Sequence, residues 1–449
     1  MASTAARGPT ERGPTGATPV GIDWGTSSSS IGLLADGQAR LILLDGAKAT
    51  RMPSTVWVPR SPPGDAPTDD LGRARVLTPQ LVRRGALRFG EAASQAMLEG
   101  EDGFYVKSPK SFLGAELRAP QIENFTALVA RMLGALLDAA APRLGERPRR
   151  AVIGRPVRYH GNRGERGDAQ ALSIMADAAR EAGLEEFVFL LEPIAAAYAY
   201  EATLSDEQLV LVIDAGGGTT DLTLIRLGPD RRERIDRSAD VLGTAGDRVG
   251  GTDLDARLGF RAFTPELGRG DRLQSGLPMP NHYYVDLCDI ADVNAQARFA
   301  SDATGQALAD YRSRAEVPDR IDRFCRLHGM RGAFRFNRAA ETAKIALSSE
   351  AVVPGRLAWL DPALSPTASR EDLAWAATPL LDRVAQLAER VIAEAGARPD
   401  RIFVTGGTAF SPVVAEGLRA RLGADEIVAG DLFGSVAAGL GMAAARISG

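Results

Sequence analysis

The chain has 449 residues, enough for more than one domain. Hydrophobic residues make up 45% and charged residues 24%, a balance that fits a globular protein and excludes a disordered or fibrous one. A net charge of −4 gives no case for nucleic acid as a main partner, and the best apolar stretch, Phe125–Leu137, is short and interrupted by Arg131, so no membrane span is expected.

Residues 1–19 carry Pro, Gly, Thr and Arg but no apolar core, and read as a disordered leader rather than a secretory signal. The next stretch, Val20–Leu34 (VGIDWGTSSSSIGLL), is an apolar strand, an acid, a turn of small residues and a second strand. Gln38–Leu44 continues as a strand, Ser61–Gln80 reads as a surface loop rich in Pro, Gly and Asp, and Phe89–Leu98 as a helix. Val106–Gly114 (VKSPKSFLG) reads as a loop that holds two of only four lysines in the chain, Lys48, Lys107, Lys110 and Lys344. Where arginine so dominates, a surviving lysine is a candidate for a site that needs a compact point charge on a slim stem. An ordinary solvated cation is the alternative.

Asn124–Leu144 is expected as a helix with Phe125, Leu128, Val129, Met132, Leu133, Leu136 and Leu137 on one broad apolar face. Ala151–Val157, Asp168–Ala182 and Phe187–Leu191 follow as strand, helix and strand, a βαβ unit with helices covering a sheet. The second strand ends in Glu192–Pro193, where an alanine-rich helix begins. Glu192 therefore stands at the carboxyl end of a strand, where α/β sheets place their ligands. It is a candidate to orient a water, or simply an acid at a helix N-terminus.

Leu209–Ile225 (LVLVIDAGGGTTDLTLI) is the central stretch: strand, Asp214, three glycines, Thr219, Thr220, Asp221, strand. Glycine lets a backbone approach something bulky and polar, and a row of bare N–H groups makes a concave anion site. Acids at both ends of such a turn cannot face phosphate without a cation between, and Mg²⁺ with its retained waters is the usual one. The stretch thus points to Mg²⁺–nucleotide phosphate; a glycine-rich hairpin tip with solvated acids is the alternative. Asp23, Gly25, Thr26 and Ser27 occupy the same places after the first strand as Asp214, Gly216, Gly217 and Gly218 after this one. Self-similarity at long spacing suggests two related lobes with the nucleotide between them.

Val249–Leu258 reads as a glycine turn feeding a helix, and Arg261–Arg335, broken by Gly and Pro, as a peripheral subdomain. Glu341, Lys344 and Ser348 project from one face of a helix over Arg338–Ser348. Ser369 caps a long amphipathic helix with Asp372 at N3. Arg401–Thr405 is a strand opening into Gly406–Gly407–Thr408, the helix Pro412–Leu422 follows, and Gly434–Ile447 is a final alanine-rich helix. There is no P-loop, dinucleotide fingerprint or GxSxG elbow. His160, His282 and His328 have no metal or triad spacing, and neither do Cys288 and Cys325, whose sparseness suits a reducing cytoplasm.

Taken together, GIDWGTS, PKSFLGA, VIGRPV, EPIAAAYAY, VIDAGGGTTD, VGGTDLD, ETAKIALSS and VTGGTAFSP resemble, in order, the ATPase domain of the DnaK-type heat-shock chaperones, and especially its short YegD-like members, within the actin- and hexokinase-like ATPases. The resemblance spans Val20 to Ala445. It implies an α/β, two-lobed actin-like ATPase fold of duplicated RNase H-like lobes around a nucleotide cleft. Lobe I would cover 20–207 and lobe II 208–449, with a peripheral subdomain about 253–335 and the C-terminal helix free to pack back on lobe I. No peptide-binding β-sandwich domain is expected.

The resemblance further implies ATP/ADP and Mg²⁺ as cofactors, with Asp23 and Asp214 holding the metal through its waters. Gly25, Thr26 and Ser27 on the first turn, and Gly216, Gly217, Gly218 and Thr219 on the second, would grip the phosphates. Lys110 would reach the γ-phosphate and the attacking water, Glu192 would help orient that water, and Asp221 would lie nearby. Gly250, Gly251, Glu341, Lys344, Ser348, Gly406, Gly407, Thr408 and Phe410 would form the rest of the nucleotide site. Where the family often sandwiches adenine between arginines, this chain has Ile345 and Phe410, and Thr252 replaces an acid. The implied function is a slow, Mg²⁺-dependent ATP hydrolase acting as a nucleotide-dependent switch on protein partners, a co-chaperone or client. The alternatives are a low-turnover nucleotide-binding scaffold or actin-like assembly protein, and a small-molecule kinase on the same fold.

Overall fold

A computed structural model describes residues 18–44, 49–61, 67–68, 74, 76–159, 163–232, 234, 237–423, 427–429 and 434–447. Lys48, His160 and nearly all of the expected leader lie outside the described residues. The chain forms two compact units: the described residues of Met1–Arg248, Gln386–Gly407 and Ala424–Gly449, and those of Val249–Ala385 and Thr408–Gly423. The division expected at 207/208 falls inside the first unit, which holds both large sheets.

Alternating or continuous runs of β-branched and apolar residues set the strands. In chain order these are β1 (Val20–Trp24), β2 (Ser28–Ala35), β3 (Gln38–Leu41) and β4 (Arg51–Pro53); then β5 (Thr55–Pro59), β6 (Arg88–Phe89) and β7 (Gly103–Lys107), which form a small sheet of their own; then β8 (Arg150–Arg155) and β9 (Glu186–Leu191). The first large sheet runs β3-β2-β1-β8-β9, with β4 on the edge of β2. The second is built from β10 (Gln208–Ala215), β11 (Thr220–Leu227), β12 (Val241–Asp247) and, beyond the two short strands β13 (Val352–Pro354) and β14 (Thr367–Ser369) of the other unit, β15 (Arg401–Thr405) and β16 (Ile427–Ala429). Its order is β12-β11-β10-β15-β16.

The two sheets repeat one design. In each, the first three strands pair antiparallel and the last two add in parallel beside the first strand. Each hairpin thus presents its turn at the carboxyl end of its sheet's central strand, the end where ligands of α/β sheets bind. The duplicated α/β architecture expected from the sequence is therefore present.

Two alanine-rich helices, Glu192–Glu201 and Ser435–Ile447, join the sheets through one core containing Val152 of β8, Val210 and Val212 of β10, Ile225 of β11 and Phe403 of β15. Small residues let backbone touch backbone there. A methyl group on Gly32 of β2 would lie 1.9 Å from the Ala437 carbonyl oxygen, and one on Gly439 would lie 1.8 Å from the Ala195 oxygen. The C-terminal helix accordingly packs on β1, β2 and β8. Gly32→Val should destabilise the protein by more than the roughly 1–3 kcal/mol of ordinary overpacking, because carbonyl backbone cannot rotate aside as a side chain does. A lowered urea midpoint is the expected reading; an unchanged one would mean that the crossing is looser than these distances.

The helix Ala119–Leu144 begins five residues before the expected start, with Pro120 in its first turn. It is long and apolar enough to cross a membrane by composition alone, yet Leu128, Leu133, Leu136 and Leu137 are buried in the core of the first unit.

The second unit is mainly helical. Its core is aromatic: Phe263, Tyr284, Phe324 and Phe336 are fully buried, with Tyr284 stacked on Phe324 at 4.7 Å and Phe263 edge-on to Phe336 at 6.2 Å. Ser369 and Asp372 form the expected capping box, with Asp372 N donating to Ser369 Oγ at 3.2 Å and Ser369 N to Asp372 Oδ2 at 3.0 Å.

Candidate functional site

The two hairpin turns meet. A methyl group on Gly217 would fall 1.8 Å from Ser27 Oγ and 2.9 Å from Ser27 Cβ, and one on Gly218 would fall 2.6 Å from Thr26 Cγ2. Only residues without a Cβ permit this approach. The first turn is tied down by Ser54, between β4 and β5: its hydroxyl donates to the Gly25 oxygen at 2.6 Å and its N–H to the Ser27 oxygen at 2.9 Å. The second closes on itself through Gly216 N to Thr219 O at 2.9 Å. Gly217→Ala should leave the fold intact, since Ser27 is exposed and can shift, but the displaced turn should weaken nucleotide binding at least about tenfold, near the 1.4 kcal/mol of one lost hydrogen bond to a charged group. Titration of the variant with Mg-ADP gives the answer, and wild-type affinity would contradict the role of this turn.

Asp23 and Asp214 are each the last residue but one of their strands, β1 and β10, so each carboxyl group is carried to the base of its turn by a buried strand. Asp221 is the second residue of β11 and is fixed by the Val157 N–H, 2.9 Å from its Oδ1. Lys110 lies on a short 3₁₀ turn, Pro109–Phe112, that follows β7. The preceding residue, Ser108, has a left-handed backbone (φ 55°) and donates its N–H to the Ser54 oxygen at 2.8 Å, so one short segment secures both the glycine turn and the lysine. Lys110 Nζ donates to Glu192 Oε1 at 2.5 Å, and both side chains are buried. Glu192 is the first residue of its helix, and Gly154 on β8 leaves room for it: a methyl group there would sit 3.1 Å from Glu192 Cγ. Gly406 (φ 89°) approaches the same place, where a methyl group would lie 2.6 Å from Asp214 Oδ1.

Four carboxyl groups thus share one buried lysine. Burial, with the Glu192 charge added, pushes Asp23 up to about 7; Lys110, Arg51 and the Ser30 hydroxyl pull the other way. Burial and Glu192 likewise raise Asp221 to about 7. Burial, Glu192, Asp221 and Asp23 hold Asp214 well above the usual carboxylate range. Burial works against charge on Lys110, but Glu192 and Asp23 outweigh it and keep the ammonium above its ordinary value. Such a cluster calls for another cation. The donors are all hard oxygens, which suits Mg²⁺. Among the described residues no three His, Cys, Asp or Glu side chains converge as a ready-made ligand set, which suits an ion held by one or two carboxylates, waters and phosphate oxygens.

Of the other expected residues, Gly407 belongs to the first unit and Gly250, Gly251, Glu341, Lys344, Ser348, Thr408 and Phe410 to the second. Gly250 N donates to Asp253 Oδ2 at 2.8 Å, capping the helix Gly251–Leu258. Lys344 Nζ is engaged by the Gly251 oxygen at 3.0 Å and by Asp255 at 2.8 Å. This lysine therefore clips two helices together. Glu341 pairs with Arg338 at 3.1 Å, Ser348 N donates to the Ile345 oxygen, and Ile345 is 62% exposed. Thr408 accepts the Ser411 N–H at 3.3 Å, Gly407 opens the same 3₁₀ turn, and the Phe410 side chain lies outside the described part. Three contributors escaped the sequence reading: Arg51, Ser54 and Val157. Arg51 and Ser54 matter only because β4 pairs with β2, and Val157 acts through its backbone, so no local signal marks them.

The family described as "Hsp70 protein" matches residues 108–269, the segment that contains Lys110, Glu192, Asp214 and Asp221. The DnaK chaperone of Thermus thermophilus is 28% identical over 431 residues, which is 91% of this chain and 57% of that protein. The chloroplast stromal 70 kDa heat shock-related protein of Pisum sativum is 30% identical over 53% of this chain and 32% of its own length. The chain is a distant homologue of the Hsp70 ATPase domain. It spans about half or less of the length of these relatives. The two mixed sheets are accordingly those of an Hsp70-type, actin-like nucleotide-binding fold, and nucleotide binding is the activity that this kinship suggests.

Proposed function

We propose that this Hsp70-type domain binds Mg-ATP and hydrolyses it slowly, as a switch whose state protein partners read. The observation that carries the reading is the meeting of Gly217 and Gly218 with Ser27 and Thr26 beside the Lys110–Glu192 pair. The N–H groups of Gly25–Ser27 and Gly217–Thr219 suit phosphate oxygens. Asp23 and Asp214 would hold Mg²⁺, which when bound supplies charge neutralisation at those oxygens. Lys110 is placed to meet developing negative charge on the γ-phosphate, and Glu192, with one oxygen on Lys110, keeps the other for the attacking water. Asp221, anchored by Val157, borders the same space. Positioning and electrostatics then supply most of the catalysis, as is usual for phosphoryl transfer. Gly406 and Gly407, in the same unit as the two turns, complete the phosphate end of the site in this reading. The two free thiols, Cys288 and Cys325, favour a reducing compartment such as the cytoplasm.

Calorimetry with ATP, ADP and GTP, with and without Mg²⁺, tests the site, metal and base preference together. Mg²⁺-dependent binding of ATP and ADP is expected, followed by slow phosphate release; absence of binding would refute the reading. Exposure of Ile345, where a base-stacking arginine is often found in the family, favours a second reading: a nucleotide-binding scaffold or assembly protein of little turnover. Nucleotide-dependent sedimentation would support it, and a persistent monomer would oppose it.

A further inference from the structure

Only Ser108 and Pro109 separate Lys110 from the end of β7. Lys107 is paired with Thr55 of β5, and the Ser108 N–H adds one more bond, to the Ser54 oxygen at 2.8 Å. Pro109 and Lys110 then begin the 3₁₀ turn, where the Ser111 N–H donates to the Ser108 oxygen at 3.0 Å. Proline fixes its own φ, so the change of direction between sheet and lysine falls on Ser108. There the backbone is left-handed, with φ 55° and ψ 56°. Two rules oppose this. An L side chain crowds its own backbone in that region, and a following proline pushes a residue towards extended conformations. Asp36 and Arg331 are the other non-glycine positions with positive φ among the described residues, and both are exposed, whereas Ser108 is buried. Strain of this kind persists only where the surroundings over-determine it, and it gathers at functional sites.

We propose that Ser108 is a positioning residue whose strained backbone aims Lys110 at Glu192. The ladder and the Ser54 bond hold it on one side and Pro109 on the other. Because Ser54 also ties down the first glycine turn, the strain fixes the spacing between that turn and the lysine. No bond is made or broken at Ser108. Its effect on turnover rests on the ATP-hydrolase reading above; its effects on stability and on the accessibility of Lys110 do not.

Ser108→Ala and Ser108→Gly both remove the hydroxyl, and only the second frees the backbone. At an unstrained position glycine is the less stable of the two, because it gives the unfolded chain more freedom. Here the order should invert, with Ser108→Gly melting about 2 °C above Ser108→Ala. Lys110, one of four lysines, should react with N-hydroxysuccinimidyl acetate faster in Ser108→Gly than in Ser108→Ala, as read at that residue by mass spectrometry. ATP turnover should be about tenfold lower in the glycine variant, on the order of what a slightly misplaced catalytic group costs, with Mg-ADP affinity within about twofold of the alanine variant. A glycine variant no more stable than the alanine one would mean that the backbone is unstrained, and equal acetylation that Lys110 does not depend on it; either result overturns the proposal. Equal turnover of the two variants in an active protein does the same. If the wild type hydrolyses no ATP, the hydrolase reading fails, and melting and acetylation still decide this one.

Discussion

Lys110→Ala is expected to lower ATP turnover by roughly two to three orders of magnitude, the range for loss of one preorganised group facing developing charge, while Mg-ADP affinity changes less than about tenfold. The lysine is buried, bonded to Glu192 at 2.5 Å and surrounded by Asp23, Asp214 and Asp221. Its charge is therefore felt at low dielectric, where solvent cannot replace it. A competing effect is loss of folding, because breaking a buried ion pair costs about 3–5 kcal/mol when the partner stays charged. Here the partners have an escape. Asp23 and Asp221 already titrate near 7, so removal of the cation is answered by proton uptake instead of unfolding. The variant should fold near neutral pH and lose stability faster than wild type as pH rises. Single-turnover phosphate release gives the rate and titration with Mg-ADP the affinity. Wild-type turnover in Lys110→Ala would remove Lys110 from the mechanism.

How much of this was legible in the sequence follows from how local each signal is. The glycine turns were readable because an acid, a run of residues without bulky side chains and a second strand are contiguous at both Asp23 and Asp214. Strand ends were misjudged where polar residues sit inside the ladder: β10 runs on through Asp214 to Ala215, and β11 starts already at Thr220. The small sheet β5–β7 escapes a local reading because Pro53 stands shortly before β5 and Pro59 ends it, so the segment mimics a loop, although prolines are tolerated at strand ends. Lys107, read as part of a loop, ends β7. In 261–335 the frequent arginines hid short apolar faces such as Ile321, Phe324 and Leu327, all fully buried. The rarity of Lys344 marks it in the sequence, but its partners Asp255 and the Gly251 carbonyl come from a helix far away in sequence and carry no local signal.

Asp214→Asn is expected to stabilise the metal-free protein above neutral pH and to abolish the Mg²⁺ dependence of nucleotide binding. The sign follows from the raised acids. Unfolded, these carboxyls titrate near 3.8; folded, Asp23 and Asp221 titrate near 7 and Asp214 well above its usual range. Between those values the folded chain holds protons that the unfolded chain has released. The stability they contribute is complete below the unfolded value and is lost as pH rises through the folded one. Each such proton tilts stability by about 1.4 kcal/mol per pH unit, an upper figure for Asp23 because its side chain is only half-buried. Wild-type protein without metal should therefore be less stable at about pH 8 than at about pH 5.5. Asparagine at 214 removes one acid and its repulsion of the other two, so the decline becomes shallower. Bound Mg²⁺ acts in the same direction in the wild type: it favours the ionised acids, so binding should release protons and tighten as pH rises through neutrality. Urea titrations across this range, and calorimetry of Mg-ADP binding in buffers of different ionisation heat, measure both effects. A flat stability profile in the metal-free wild type, or metal binding with no proton released, would mean that Asp23, Asp214 and Asp221 do not share one buried field.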